Sequence, residues 1–328
     1  MPGDAPYVRL TDVSPRDGLQ NETGIVPTEE KVELVRLLAE AGVDEIEVTS
    51  FVSPRWVPQL ADAEAVLGSL RDSPPGRGAG PLPGGEGAGS PALIALVPNR
   101  RGFERALTIH GPAFPLKVAV FTAASETFSR KNTNASIAET IERFREFVPE
   151  AVERGMAVRC YVSCAIACPY EGEVEPRAVR EVCDRLRDLA PAPAWERGQV
   201  ELDLGDTIGA GDAVRTRRLL EAFEPGERAA LTMHFHDTFG RAGECVRESL
   251  EMGVASFDGA VGGLGGCPYA GTKDARAPGN VSTERVAAIA EAEGFRTGVD
   301  LDALRRVGER ARRITHEATE RAAAEARS

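Results

Sequence analysis

The chain has 328 residues, and its 39 basic against 51 acidic side chains give a formal net charge of −12. That balance argues against a nucleic-acid or anionic-membrane surface, while leaving room for a local basic patch on a phosphate. Hydrophobic residues at 42% and charged residues at 27% allow a sizeable core and exclude global disorder. No run approaches the roughly 18 consecutive apolar residues a membrane span needs. Met1–Leu10 lacks the basic and apolar regions of a signal peptide, so a cytoplasmic protein is expected, with a bacterial leaning from its preference for Arg over Lys. The six cysteines, Cys160, Cys164, Cys168, Cys183, Cys245 and Cys267, contain no CxxC pair and read as reduced thiols.

Short β-branched runs alternate with amphipathic stretches along the chain. Candidate strands are Val8–Val13, Glu45–Thr49, Leu93–Val97, Lys117–Thr122, Val158–Ser163, Val200–Leu204, Ala230–Phe235 and Ser256–Val261. Helices fill the gaps. Thr28 is placed to cap a helix carrying Val32, Val35, Leu38 and Ala41 and ending at Gly42. Ser136-Ile-Ala-Glu139 reads as a capping box, and Pro176 suits a first helical position. Three helices end in Gly with a strand directly behind: Gly42-Val43, Gly155-Met156 and Gly253-Val254. Such short connections are what a repeated βα unit requires. Eight units in strict alternation predict an α/β fold, a closed (β/α)8 barrel. A doubly wound sheet would ask for a Gly-rich fingerprint after the first strand, where Ser14-Pro15-Arg16-Asp17-Gly18 stands instead. The catalytic barrel is expected over residues 1–298, with a Pro/Gly-rich loop at 72–91 and a helical extension at 299–328 packing under the barrel or against a partner.

Chemistry concentrates at three places. His234-Phe235-His236-Asp237 ends strand seven, and alternate strand residues face the same way, so both imidazoles point together. Asp17, just after strand one, would project into the same barrel mouth. A carboxylate, two imidazoles, a neutral oxygen donor and open water positions suit Mg²⁺ or Mn²⁺ better than tetrahedral Zn²⁺. Arg16 is placed to polarise a carbonyl. The glycine-dense stretch Val261–Ala270, with Cys267 at its tip, follows strand eight and reads as a lid that closes over ligand.

Taken together these stretches resemble the 3-hydroxy-3-methylglutaryl-CoA lyase family of metal-dependent TIM-barrel acyl-CoA lyases. The likeness runs from about Tyr7 to Thr297. It rests on Pro15-Arg-Asp-Gly-Leu-Gln-Asn-Glu22, Thr49-Ser-Phe-Val-Ser-Pro54, Tyr161-Val-Ser-Cys-Ala165, Cys168-Pro-Tyr-Glu-Gly172, Leu204-Gly-Asp-Thr-Ile-Gly209, His234-x-His-Asp-Thr238 and Gly263-Leu-Gly-Gly-Cys-Pro-Tyr-Ala270.

The resemblance implies that Asp17, His234, His236 and Asn280 hold the cation. Asp17 or His234 would act as base and Arg16 would stabilise the enolate. His234 or Cys267 would return a proton. Gln20, Glu47 and Asp206 would support the site or touch substrate, and Arg130 and Lys131 would meet the CoA phosphates. It also implies an acyl-CoA substrate, a homodimer, and no nucleic-acid or membrane partner. Three departures bear on substrate: Asp203 where the family has a small Ser, Thr23 where Lys is common, and the longer charged stretch Gly271–Pro278. A lyase or condensing enzyme on another 3-hydroxyacyl thioester is the alternative, and a non-catalytic acyl-CoA binder is the reading from another class.

Overall fold

The computed structural model describes residues 5–76, 90–265, 267–271, 276–277 and 279–327; the side chains of 267–271 and 276–277 fall outside the description. Eight parallel strands close into a barrel: β1 (Arg9–Asp12), β2 (Glu45–Ser50), β3 (Ala92–Leu96), β4 (Leu116–Ala123), β5 (Val158–Ser163), β6 (Val200–Asp206), β7 (Leu231–Phe235) and β8 (Ser256–Gly259). All eight coincide with the predicted runs to within two residues. Closure is made by β1 on β8, with Arg9 opposite Ser256 and Asp12 opposite Gly259.

Around the barrel run α1 (Thr28–Glu40), α2 (Ala63–Asp72), α3 (Arg100–Leu107), α4 (Glu126–Thr133), α5 (Ile137–Arg145), α6 (Val148–Glu153), α7 (Pro176–Arg187), α8 (Ala192–Glu196), α9 (Ala213–Leu220), α10 (Pro225–Arg228), α11 (Ala242–Glu251), α12 (Thr283–Ala292) and α13 (Leu301–Glu325). The Ser136–Glu139 capping box forms as expected, and Gly42, Gly155 and Gly253 adopt φ of 92°, 78° and 92° where helices hand over to strands. Thr28 is a correction. Pro27 occupies the cap position and Thr28 is the first helical residue, its hydroxyl donating to Asp62 Oδ2 at 2.7 Å across to the start of α2. Two short ribbons also lie outside the predicted pattern, Ala167–Cys168 with Gly172–Glu173 and Cys267–Gly271 with Arg276–Ala277.

The tail helix does not pack under the barrel. It packs in the outer layer between α1 and α12 and against the turn Val261–Gly263. Its apolar stripe, Leu304, Val307, Ala311, Ile314 and Ala318, belongs to the same continuous core as the barrel. It enters at the lower rim, where the Asp300 N–H meets the Ala41 carbonyl, and reaches the upper rim, where Thr319 faces Thr23. Thr23 therefore faces the tail helix.

The barrel interior is not the usual aliphatic stack. Its lower layer is an ion network in which Arg159 meets Glu45 at 2.5 Å, Glu201 at 2.6 Å and Asp258 at 2.8 Å, with Lys117 at 3.0 Å from Glu45 and Arg9 at 2.6 Å from Glu201. An apolar patch, Ile94, Leu96, Ala119 and Tyr161, fills the side formed by β3 to β5.

Candidate active site

The first element of the site is a wide turn over Ser14–Gly18, in which the Gly18 N–H reaches the Val13 carbonyl five residues back at 3.1 Å. The turn lifts Arg16 and Asp17 into the barrel mouth. Arg16 is a bridge between two carboxylates: Nε and Nη2 lie 2.7 and 2.5 Å from Glu47 Oε2, and Nη1 lies 2.5 Å from Asp17 Oδ1. Glu47 sits in the middle of β2 and is fully buried; it also accepts from the Tyr161 hydroxyl at 3.3 Å. The guanidiniums of Arg16 and Arg159 each lie over the Tyr161 ring, 5.8 Å from its centroid.

Asp17 is the hub. Besides Arg16, its Oδ1 accepts from Gln20 Nε2 at 3.0 Å, and its Oδ2 accepts from Asn280 Nδ2 at 2.8 Å. Burial alone would raise its carboxyl; Arg16, the two histidines and Asn280 outweigh it and hold Asp17 at about 2. His234 and His236 face it, their rings 5.4 Å apart, and one donor atom each from Asp17, His234 and His236 lies within 4.8 Å of the others. Asn280 joins through the bridge His236–Asn280, where the chain beyond β8 pairs with the end of β7.

The unused atoms of the donor set fit a divalent cation. The Asn280 amide nitrogen is committed twice, to Asp17 and to the Leu264 carbonyl at 3.1 Å, so its oxygen is the end presented. Asn280 Oδ1 and His236 Nδ1 are buried with no hydrogen-bond partner among the described residues. His234 turns Nδ1 towards Asp258 Oδ2 at 3.3 Å, which leaves Nε2 for the cluster. Burial and the neighbouring imidazole push His236 down to about 4, so it is a neutral ring at pH 7. Gly265 closes the cradle: it has φ +91°, and a Cβ there would lie 2.6 Å from Asn280 Nδ2.

Arg16, Asp17, Tyr161, His234, His236 and Gly265 line a cavity of about 890 Å³ at the C-terminal end of the barrel, with Gln20, Leu96, Phe121, Phe128, Arg130, Lys131 and Arg143 also on its walls. Arg130 and Lys131 project from α4; Arg130 is 3.8 Å from Glu126, and Lys131 lies 4.3 Å over the Tyr170 ring.

Two sequence expectations change here. Asp206 ends β6, but its carboxylate turns to the Ala210 and Gly211 N–H groups at 3.0 and 2.8 Å and holds its own loop. It is not among the cavity-lining residues. Asp203 lies one inward-facing position below Gly205, opposite Thr232, and is likewise absent from the cavity wall. Burial and the adjacent Asp258 push its carboxyl up. The side chains of Cys267 and of the Gly271–Pro278 stretch lie outside the described residues.

Asp258 and Arg159 were missed. Each is an isolated charge in a short strand, and its alternation with Ser256 or Tyr161 was the available signal.

A family model described as HMGL-like matches residues 7–310. The chain belongs to the HMGL-like family. Among relatives of known name, it is 44% identical over 306 residues to the 3-hydroxy-3-isohexenylglutaryl-CoA/hydroxy-methylglutaryl-CoA lyase of Pseudomonas aeruginosa, covering 92% of this chain and 91% of that one. It is 43% identical over 313 residues to the mouse protein named 3-hydroxy-3-methylglutaryl-CoA lyase, cytoplasmic, covering 94% and 81%. Among solved structures, the HMG-CoA lyase from Brucella melitensis superposes with a TM-score of 0.82 at 40% identity, over 95% of this chain and all of that one. Family membership agrees with the closed barrel and the mouth cluster. No helix among the described residues is long and apolar enough to cross a membrane.

Proposed function

We propose that this protein is a divalent-cation-dependent carbon–carbon lyase that cleaves 3-hydroxy-3-methylglutaryl-CoA to acetoacetate and acetyl-CoA. The observation that carries the reading is the convergence of Asp17, His234 and His236 donor atoms within 4.8 Å at the barrel mouth, beside Arg16. Asp17, His234, His236 and the Asn280 oxygen would hold the ion, and two nitrogens with two oxygens suit Mg²⁺ or Mn²⁺. The bound ion supplies Lewis acidity that lowers the pKa of the substrate's 3-hydroxyl.

This chain's own groups do the rest. Asp17 or His234 takes the hydroxyl proton as the C2–C3 bond breaks in the retro-Claisen sense. Arg16, braced by Glu47, faces the thioester oxygen where enolate charge develops. Gln20 holds Asp17 in place. His234 or Cys267 delivers the proton that completes acetyl-CoA. Arg130 and Lys131 at the cavity rim are positioned for the CoA phosphates. The protein acts as a cytoplasmic homodimer without nucleic-acid or membrane partners.

A second reading, a larger 3-alkyl group on the same skeleton, is favoured by the apolar wall of Leu96 and Phe121 in the cavity. The test is incubation with 3-hydroxy-3-methylglutaryl-CoA and Mg²⁺ or Mn²⁺, with acetoacetate and acetyl-CoA assayed and His234→Ala as the blank. Metal-dependent product that disappears in the blank is expected. Cation binding with cleavage only of a longer 3-alkyl homologue selects the second reading. Product formed equally by the blank overturns the site.

A further inference from the structure

A single buried carboxylate, outside the site itself, joins the segments that build it. Asp12 ends β1 and is fully buried. Its Oδ1 accepts from the Ser14 N–H at 2.9 Å; its Oδ2 accepts from the Val261 N–H at 3.0 Å and from the Thr283 hydroxyl at 2.6 Å. Each donor opens a different segment. Ser14 begins the turn that carries Asp17, Val261 begins the loop that carries the Leu264 carbonyl, and Thr283 begins α12 three residues beyond Asn280.

The same three segments meet a second time at the site. There Asn280 Nδ2 bonds both Asp17 Oδ2 and the Leu264 carbonyl. Asp12 ties them below and Asn280 ties them above. Gly259, in register with Asp12, leaves no slack, since a Cβ there would lie 2.9 Å from the Thr283 backbone. A carboxylate suits the post because both of its oxygens accept and their separation is fixed.

We propose that Asp12 is a positioning residue of the metal centre, setting the distance between Asp17 and Asn280 and thereby the affinity for the cation. The proposal rests on the reading of Asp17, His234, His236 and Asn280 as ligands. An asparagine at position 12 keeps the shape but turns an amide N–H₂ against the N–H of Ser14 or Val261, so one segment is released.

The test measures Mn²⁺ binding to the substrate-free protein by electron paramagnetic resonance, beside far-UV circular dichroism and thermal melts. Asp12→Asn is expected to weaken Mn²⁺ about 10-fold, the scale on which groups behind metal ligands act, with the barrel's dichroism unchanged. Thr283→Val, which removes one of the three donors, is expected to weaken it about 3-fold, and Thr283→Ser to restore wild-type affinity. Should Asp12→Asn not fold, the Thr283 pair decides alone. Variants that melt earlier yet bind Mn²⁺ as tightly as the wild type would reduce Asp12 to a structural role and overturn the proposal. A wild type that binds no Mn²⁺, or a His236→Ala variant that binds it equally well, overturns the ligand reading and the proposal with it.

Discussion

Replacing Arg159 by Met tests whether the charged barrel interior holds the fold together. Arg159 is fully buried and meets Glu45, Glu201 and Asp258 within 2.8 Å. Lys117 and Arg9 still serve Glu45 and Glu201 after the change, so the loss concentrates at Asp258, left with His234 at 3.3 Å and Tyr161 at 3.2 Å. Removing one partner of a buried pair costs about 3–5 kcal/mol. At about 2 °C per kcal/mol for a chain of this size, 4 kcal/mol lowers Tm by about 8 °C.

The pH dependence separates this cause from lost packing. In the wild type, burial alone would raise the Glu45 and Glu201 carboxyls, but Lys117 and Arg159 outweigh it and hold both below their ordinary 4.5. Groups depressed on folding add stability above their unfolded pKa, and that stability is lost as pH falls through the folded values. Without Arg159, Asp258 rises instead, and an acid raised on folding gains stability as pH falls. The wild-type carboxylates are flat above pH 4.5, so the Tm gap between wild type and variant should narrow from pH 8 to pH 5 through protonation of Asp258 in the variant alone. Thermal melts by circular dichroism at pH 8, 6.5 and 5 measure it, and adding Asp258→Asn should recover part of the loss. A gap under about 2 °C at pH 8, or one that stays constant with pH, would refute the electrostatic account.

Further outcomes follow from other contacts. Gly24→Ala would set a Cβ 2.1 Å from the Ala318 carbonyl oxygen of α13; a loss of about 3 kcal/mol is expected in a thermal melt, with earlier proteolysis of the tail. Arg16→Lys cannot span Glu47 and Asp17 together, so kcat should fall roughly 10²-fold in steady-state assays while KM changes little. Dialysis against EDTA should lower Tm, and Mn²⁺ at 100 times its Kd should return about 2.7 kcal/mol, a gain absent in His236→Ala.

The barrel was legible because its signals are local. Apolar runs such as Val158–Ser163 recur eight times, and Gly42, Gly155 and Gly253 punctuate the turns into strands. His234 and His236 announced themselves by their spacing at a strand end. What stayed hidden depends on register between distant segments. Arg159 alternates with Tyr161 as it would on any half-exposed strand, and only closure of the sheet turns both inward to meet Glu45 and Asp258. Asp12 is a lone acid in the sequence, and its value appears once Val261 and Thr283 arrive beside it. Asp203 misleads for the same reason: its position in the motif is right, but its layer in the barrel is one below the mouth.

The contact between Asp17 and Asn280 spans 263 residues of chain. Closing a loop of that length carries an entropic cost of about 5 kcal/mol in its length-dependent part alone. The order of synthesis follows from this. A nascent chain paused before β8 has emerged holds the RDG turn and both histidines, yet it has neither the strand that closes the sheet nor the amide that completes the donor set. Under the proposed ligand set, such a chain would offer a cation three of the four donors. Assembly of the proposed site therefore waits for the segment that carries Asn280.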